Sequence, residues 1–392
     1  MQKRSTGRSW YTRSALLAIV ALLSVVWVGC AEKVEQPSAP TTSEQSTAPP
    51  APDQLLSKAN PRVQHVMAIQ DRHTPSLLQM NDVVGTATGV DGDAIVITVY
   101  TARSKADLPR ELDGVRVVQH ISGPIEPKKG PPPMDGGSGN DDPKAKQALP
   151  VKMGTSGGWG LDLANGFCCG GTLGSLIDVG GTQHVLSNYH VLYSDIVSGG
   201  NNTTAQPGQP VIQPGLIDVG CVAANAQQVA TLVVNGGSLP NSSPKIDAGI
   251  AAVISGRVDP SGAILNVGVP AGGSGVPAFV GQAVKKMGRT TGLGRATVTG
   301  INGAFNITYA NECAGGTSFT IGYTGQIVTS NNRCNFLDGG DSGSLMLEDV
   351  DTNPAAVGLL FAGSSICNPN AIAIANPIGV VLSHYGATMV GN

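Results

Sequence analysis

Charged residues are scarce in this chain of 392 residues: Asp, Glu, Lys and Arg together make up 13%, about half the share of roughly 25% found in soluble proteins. The net charge is −3 and no long basic run occurs, so the electrostatic footprint of a nucleic-acid binder is missing. No CxxC-type spacing marks a zinc site, no repeat recurs at a fixed period, and no long amphipathic helical pattern runs through the second half. What is abundant is Gly, at 53 residues, with 26 Pro and an apolar share of 41%. That apolar content supports a packed core and excludes wholesale disorder. Many Gly with few charges fits an exported, turn-rich β protein.

The first residues read as an address. Lys3, Arg4, Arg8 and Arg13 precede an apolar run over residues 15–28, shorter than the roughly 20 residues of a membrane span but suited to a secretory signal. The run closes in Val28-Gly29-Cys30, which resembles a bacterial lipobox, with Trp27 where Leu is usual. This resemblance implies a lipid on Cys30 and membrane anchoring; cleavage near Gly29 instead would give a secreted protein. Residues 1–30 are thus a signal segment, and 31–52, rich in Ser, Thr, Pro and Gln, a flexible tether. The remaining cysteines, Cys168, Cys169, Cys221, Cys313, Cys334 and Cys367, are even in number, and six cysteines in an exported chain allow up to three disulfides in 15 pairings. Cys313 and Cys334 flank an apparent hairpin over 318–329 and are expected to pair. Cys168 and Cys169 are adjacent, so they face opposite ways along a strand and need different partners.

Residues 53–122 read as a small α/β domain. Asn60-Pro61 is an N-cap followed by Pro at the first helical position, with Val63, Val66 and Met67 on one face. Two strands, 83–90 and 94–101, meet at Asp91-Gly92, a strong hairpin signal; segments 108–112 and 115–121 follow. His65, His73 and His120 are scattered and read as structural. Residues 123–149 are dense in Pro, Gly and charge, and read as a flexible linker. Beyond 150, short β-branched runs alternate with Gly, Asn and Pro (171–179, 183–188, 229–234, 248–253, 283–287, 296–301, 317–328, 356–361), with a short helix near 379–385. Many short strands over 150–392 predict a sandwich or barrel.

The chemistry concentrates at Gly339-Gly340-Asp341-Ser342-Gly343-Ser344. A nucleophilic Ser needs a tight turn to present its Oγ, and backbone N–H groups aimed at the developing oxyanion. Gly340 permits that backbone geometry. This segment resembles the GDSGG motif of trypsin-like (chymotrypsin-fold) serine peptidases of bacterial type, with Ser344 in place of the last Gly. His190, in Val185-Leu186-Ser187-Asn188-Tyr189-His190, resembles the general base of that family, and Gly170-Gly171-Thr172-Leu173-Gly174-Ser175 its preceding strand. Asp247, in Lys245-Ile246-Asp247-Ala248-Gly249, stands where the orienting carboxylate belongs. His184 opens a strand and reads as packing. The resemblance implies a mainly β, chymotrypsin-like double β-barrel preceded by the small α/β domain. It further implies a serine endopeptidase with a His190–Asp247–Ser342 triad, an oxyanion hole of the Gly340 and Ser342 N–H groups, and an acyl-enzyme intermediate.

Lys286-Met287-Gly288-Arg289-Thr290-Thr291-Gly292 resembles a run that opens the second barrel of bacterial members. Val357-Gly358-Leu359-Leu360-Phe361-Ala362-Gly363-Ser364 resembles the strand to which an extended substrate adds. The resemblance therefore implies substrate contacts at Phe361, Ala362, Gly363 and, six residues before the nucleophile, Phe336. Phe336 stands where trypsin has its specificity Asp, so the pocket is expected to prefer an uncharged side chain. Phe361 replaces a Ser that supports the triad in the animal enzymes. No Arg-Ile-Val-Gly-Gly-like new N-terminus occurs, so Asp341 is expected to pair with an internal donor. The substrate is a protein or peptide, and neither metal nor organic cofactor is required. An α/β-hydrolase reading would use Ser342, Asp349 or Asp351, and His384, but Ser344 breaks its G-x-S-x-G elbow and the long helices are lacking. A non-enzymatic alternative is a protease-fold surface lipoprotein that binds protein without turnover. The α/β domain would serve as a folding pro-domain, an intramolecular inhibitor or a targeting module.

Overall fold

Asn60 begins the first helix as its sequence suggests: its side chain accepts the Arg62 N–H at 2.8 Å, and Pro61 fills the first helical position of α1 (Pro61–Leu77). The computed structural model describes residues 56–103, 107–127, 141–164, 167–193, 205–238, 246–309 and 318–392, all within one unit beginning at Pro50. The signal segment, Cys30, the tether and Cys313 lie outside the described residues. Val66 and Ile69 of α1 pack on a sheet of β1 (Val83–Asp91), β2 (Ala94–Thr101), β3 (Glu111–Leu112) and β4 (Val115–Ile121). The β1–β2 turn places Gly92 at φ +62°, which glycine adopts without steric cost. Within the stretch read as linker, Ile125–Pro127 forms a further strand, β5.

The first barrel comprises β6 (Thr155–Trp159), a small hairpin of β7 (Leu163–Ala164) and β8 (Phe167–Cys168), β9 (Gly171–Leu173), β10 (Ser175–Val179), β11 (Thr182–Ser187), the one-turn α2 (Tyr189–Leu192), β12 (Pro210–Gln213), β13 (Gln227–Ser238) and β14 (Ala248–Val253). Hydrogen bonding runs β10–β11–β14–β13–β12–β6–β9. Because β9 and β10 are one chain run bent at Gly174, the two ends of this sheet are continuous and it closes on itself, removing its edges. Gly174 is required there: a Cβ would meet the Gly343 carbonyl O at 1.9 Å.

The second barrel uses β15 (Ala283–Gly288), β16 (Gly292–Tyr309), β17 (Phe319–Ser330), β18 (Leu345–Glu348), β19 (Ala356–Ser364) and β20 (Ile372–Pro377), ordered β15–β18–β19–β20–β17–β16 and closed by β15–β16 pairing. The chain ends in α3 (Ile378–Tyr385) and β21 (Ala387–Met389), which pairs with β10. The protein is mainly β, a chymotrypsin-like double barrel with the α/β unit before it. That unit shares a sheet with the second barrel, because β1 pairs with β16 from Gly85↔Phe305 to Gly89↔Gly300. Strand β16 runs well past the predicted 296–301. Its Gly and Asn residues read as breakers, yet Gly300 pairs with Val328 on one side and Gly89 on the other, and ladder bonds on both flanks override local propensity.

The expected Cys313–Cys334 bond is not formed: Cys334 is bonded to Cys367, and Cys168 to Cys221. The turn after β17 lies against the β19–β20 connection, where Arg333 N–H donates to Asn368 O at 2.9 Å, and this tertiary contact outweighs hairpin proximity. Cys169 is disulfide-bonded to a partner other than that of Cys168. Disulfides fit an exported protein. Among the described residues no helix is long and apolar enough to cross a membrane.

Candidate active site

Ser187 at the end of β11 pairs with Gly249 near the start of β14. The residues just beyond, His190 in α2 and Asp247 before β14, are thereby brought together at one end of the first barrel. His190 Nδ1 lies 2.6 Å from Asp247 Oδ2, and its backbone N–H donates to Asp247 Oδ1 at 3.3 Å. Both residues are buried, Asp247 completely. Asn188 and Asn376 donate to the Asp247 carbonyl, at 2.7 and 3.1 Å, and the Asp247 N–H donates to Asn376 Oδ1 at 3.2 Å. A carboxylate only accepts, so in the neutral imidazole the proton sits on Nδ1 and Nε2 is the free acceptor. Nε2 is buried with no hydrogen-bond partner among the described residues.

Ser342 belongs to a loop clamped between the barrels. Thr172 of β9 donates its N–H to Ser342 O and its hydroxyl to Gly340 O, both at 2.9 Å, and accepts Ser187 Oγ at its carbonyl at 2.7 Å. Those bonds tie the serine loop to the segment carrying His190. Gly340 has φ +100°, a region disfavoured for residues with a Cβ. The Gly339 carbonyl accepts the Thr290 hydroxyl, and across a trans peptide the Gly340 N–H points the opposite way. Among the described residues neither the Gly340 nor the Ser342 N–H has an acceptor. The Ser342 hydroxyl donates to Phe361 O at 3.2 Å rather than to His190.

Asp341 finds its internal donor in Lys286, whose Nζ lies 3.2 Å from Oδ1 with both side chains fully buried. Thr290 N–H at 2.8 Å and Thr291 N–H at 3.1 Å also reach Oδ1, while the Thr291 hydroxyl at 2.7 Å and Asp338 N–H at 3.0 Å reach Oδ2. This is the physical content of the Lys286–Gly292 motif: one ammonium and a turn of donors fix the residue beside the serine. Burial lowers the Lys286 pKa, and the Asp341 charge opposes that shift.

Two of the expected substrate residues offer no side-chain surface. Phe336 is packed in the second-barrel core, and the Phe361 ring lies 5.0 Å from that of Tyr323. Along β19, Ala362, Gly363 and Ser364 pair antiparallel with Pro127, Glu126 and Ile125 of β5. An internal strand thus sits where an extended substrate would add. His184, the other candidate base, bonds Thr182 O at 2.9 Å. Asp349 bonds Arg295 at 3.1 Å, the His384 ring packs on Tyr385 and the Ser342 hydroxyl donates to Phe361 O, so these contacts do not join Ser342, His384 and Asp349 or Asp351 as an α/β-hydrolase set. Residues not singled out from sequence also touch Asp247: Asn376, and Tyr309, whose hydroxyl donates to Oδ2 at 2.8 Å. The absence of a hydroxyl at Phe361 was the available signal for a substitute donor.

The chain resembles bacterial trypsin-like serine peptidases in sequence as well as in motif order. It is 36% identical over 113 residues to Streptogrisin-A of Streptomyces griseus, covering 29% of this chain and 32% of that protein. It therefore spans about a third of that relative's length. No protein-family model matches. Among solved structures it is similar to a glutamic-acid-specific serine protease described as using a histidine triad in substrate binding, at 21% identity, TM-score 0.39, with 61% of this chain and 100% of that one covered. It is also similar to Cellulomonas bogoriensis chymotrypsin, at 20% identity and TM-score 0.40, covering 62% and 99%.

Proposed function

We propose that the protein is an exported serine endopeptidase. The observation that carries this reading is the buried His190–Asp247 pair at 2.6 Å, whose Nε2 has no partner among the described residues, with the Ser342 loop tied through Thr172 to the strand that leads into His190. In this reading the Ser342 hydroxyl exchanges Phe361 O for Nε2 as its acceptor when substrate binds; catalytic hydrogen bonds are often unmade before substrate arrives. Ser342 Oγ then attacks the scissile carbonyl while His190 takes its proton, Asp247 orients the imidazole, and the Gly340 and Ser342 N–H groups receive the oxyanion. His190 returns the proton to the leaving amine, and water hydrolyses the acyl-enzyme by the same route. In this reading Phe361, Ala362 and Gly363 serve substrate through their backbone. Lipid on Cys30 would hold the enzyme at the envelope.

The segment that follows the α/β unit acts as an intramolecular inhibitor in this proposal. Strand β5 occupies the β19 edge, and Ser342 is fully buried in this arrangement. A second reading, a protease-fold binding module without turnover, draws on the Ser342–Phe361 hydrogen bond. Digestion of a complex peptide library by the chain freed at β19 by Ile125→Asp separates the two: new peptide termini that vanish when His190→Ala is added support the enzyme, whereas identical, empty profiles favour the module.

A further inference from the structure

A fully buried carboxylate must have its lone pairs filled. Asp247 is fully buried, and its Oδ2 serves two donors, the His190 ring at 2.6 Å and the Tyr309 hydroxyl at 2.8 Å. Strand β19 supplies no side-chain donor, since Phe361 carries none. Behind Tyr309 stands Tyr323, with the two hydroxyls 2.5 Å apart.

The proton inventory fixes the direction of this chain. Asp247 cannot donate while ionised, so the Tyr309 O–H points at Oδ2, and with its one proton spent Tyr309 must accept from Tyr323. Burial, and secondly the Asp247 charge, pushes both phenol pKa values far up, so both hydroxyls keep their protons as donors. The rings are held independently: Tyr309 stacks on Phe319 with centroids 5.2 Å apart, and Tyr323 packs on Phe361 at 5.0 Å. Tyr309 closes β16 and Tyr323 lies in β17, both of the second barrel, whereas His190 and Asp247 belong to the first. The orienting carboxylate is therefore gripped from across the inter-barrel cleft.

We propose that Tyr309, backed by Tyr323, is a positioning residue that holds Asp247, and through it His190, in the reaction assigned above. The inference rests on that reading. The hydroxyl chain supplies from β16 and β17 the donor that β19 lacks, and makes the geometry of the pair depend on how the barrels are docked.

The test uses the full chain with Tyr309→Phe, Tyr323→Phe and both together, each shown by circular dichroism to be folded. One readout, independent of turnover, is the NMR resonance of the His190 Nδ1 proton; the other is the rate of labelling by a fluorophosphonate. Tyr309→Phe is expected to move the resonance downfield, because a carboxylate that has lost one donor pulls harder on the other. It is also expected to slow labelling about tenfold, the worth of one hydrogen bond to a charged group. Tyr323→Phe shifts both in the same direction by less, and the double variant adds little to Tyr309→Phe. An unmoved resonance in Tyr309→Phe overturns the proposal whatever the labelling rates. A resonance that moves in Tyr309→Phe, in a protein that labels neither as wild type nor with Ile125→Asp, supports the positioning role while refuting the peptidase reading.

Discussion

Lys286 Nζ and Asp341 Oδ1 lie 3.2 Å apart in a fully buried ion pair, directly beside Ser342. An internal lysine thereby fills the place that a new α-amino terminus would take in an enzyme activated by cleavage. The serine loop is consequently built from residues present in the uncut chain.

Lys286→Met is expected to destabilise the fold by about 3 kcal/mol, because it strands a buried carboxylate. The Thr290, Thr291 and Asp338 donors to Asp341 remain, so the loss falls at the lower end for buried pairs. The urea midpoint measures it, and an unchanged midpoint would show that the ammonium is dispensable.

How much of this was legible in the sequence depended on the range of each interaction. Ser342, His190 and Asp247 stand in local motifs whose chain order is itself informative, and the structure puts His190 against Asp247. That Asp341 needed an internal donor was also readable, but not which one: Lys285 and Lys286 point to opposite faces of β15, both are buried, and nothing local says that Lys286 meets Asp341 while Lys285 meets the Val350 carbonyl. Tyr309 and Tyr323 were not legible because their approach depends on the β16–β17 register, which pairs Tyr323 with Phe305. The docking of β5 on β19 and the Cys334–Cys367 bond are likewise long-range facts, invisible to local pattern.

Gly340→Ala is expected to slow fluorophosphonate labelling by about 10²–10³-fold, the usual consequence of losing an oxyanion donor. The added Cβ would meet Thr290 Oγ1 at 2.5 Å and Arg289 Cδ at 2.8 Å, forcing the peptide out of its φ of +100°. Comparing labelling rates at matched folded fraction checks this.

Ile125→Asp is expected to raise the labelling rate. Ile125 is buried in a cluster with Tyr100, Phe305, Phe361 and Ala362, and a carboxylate there would unseat β5 from β19. Weakening a docked strand by about 1.4 kcal/mol makes the open state roughly tenfold more populated. Equal rates in wild type and variant would remove the inhibitory role.

Replacing Cys334 and Cys367 by Ser together is expected to cost about 3–4 kcal/mol, from the chain entropy of a cross-link spanning 33 residues. Chemical denaturation of the double variant reads this directly. A fall in labelling beyond the unfolded fraction would further show that the bond steadies the turn leading into the serine loop.

The central claim is that Ser342 is an activated nucleophile. Its most direct test is fluorophosphonate labelling of the full chain, alone and with Ile125→Asp to free the β19 edge, followed by mass-spectrometric mapping of the adduct. A single adduct on Ser342, abolished by Ser342→Ala, is the predicted result. Folded protein that stays unlabelled in both forms would contradict the account and leave a binding module on a protease fold.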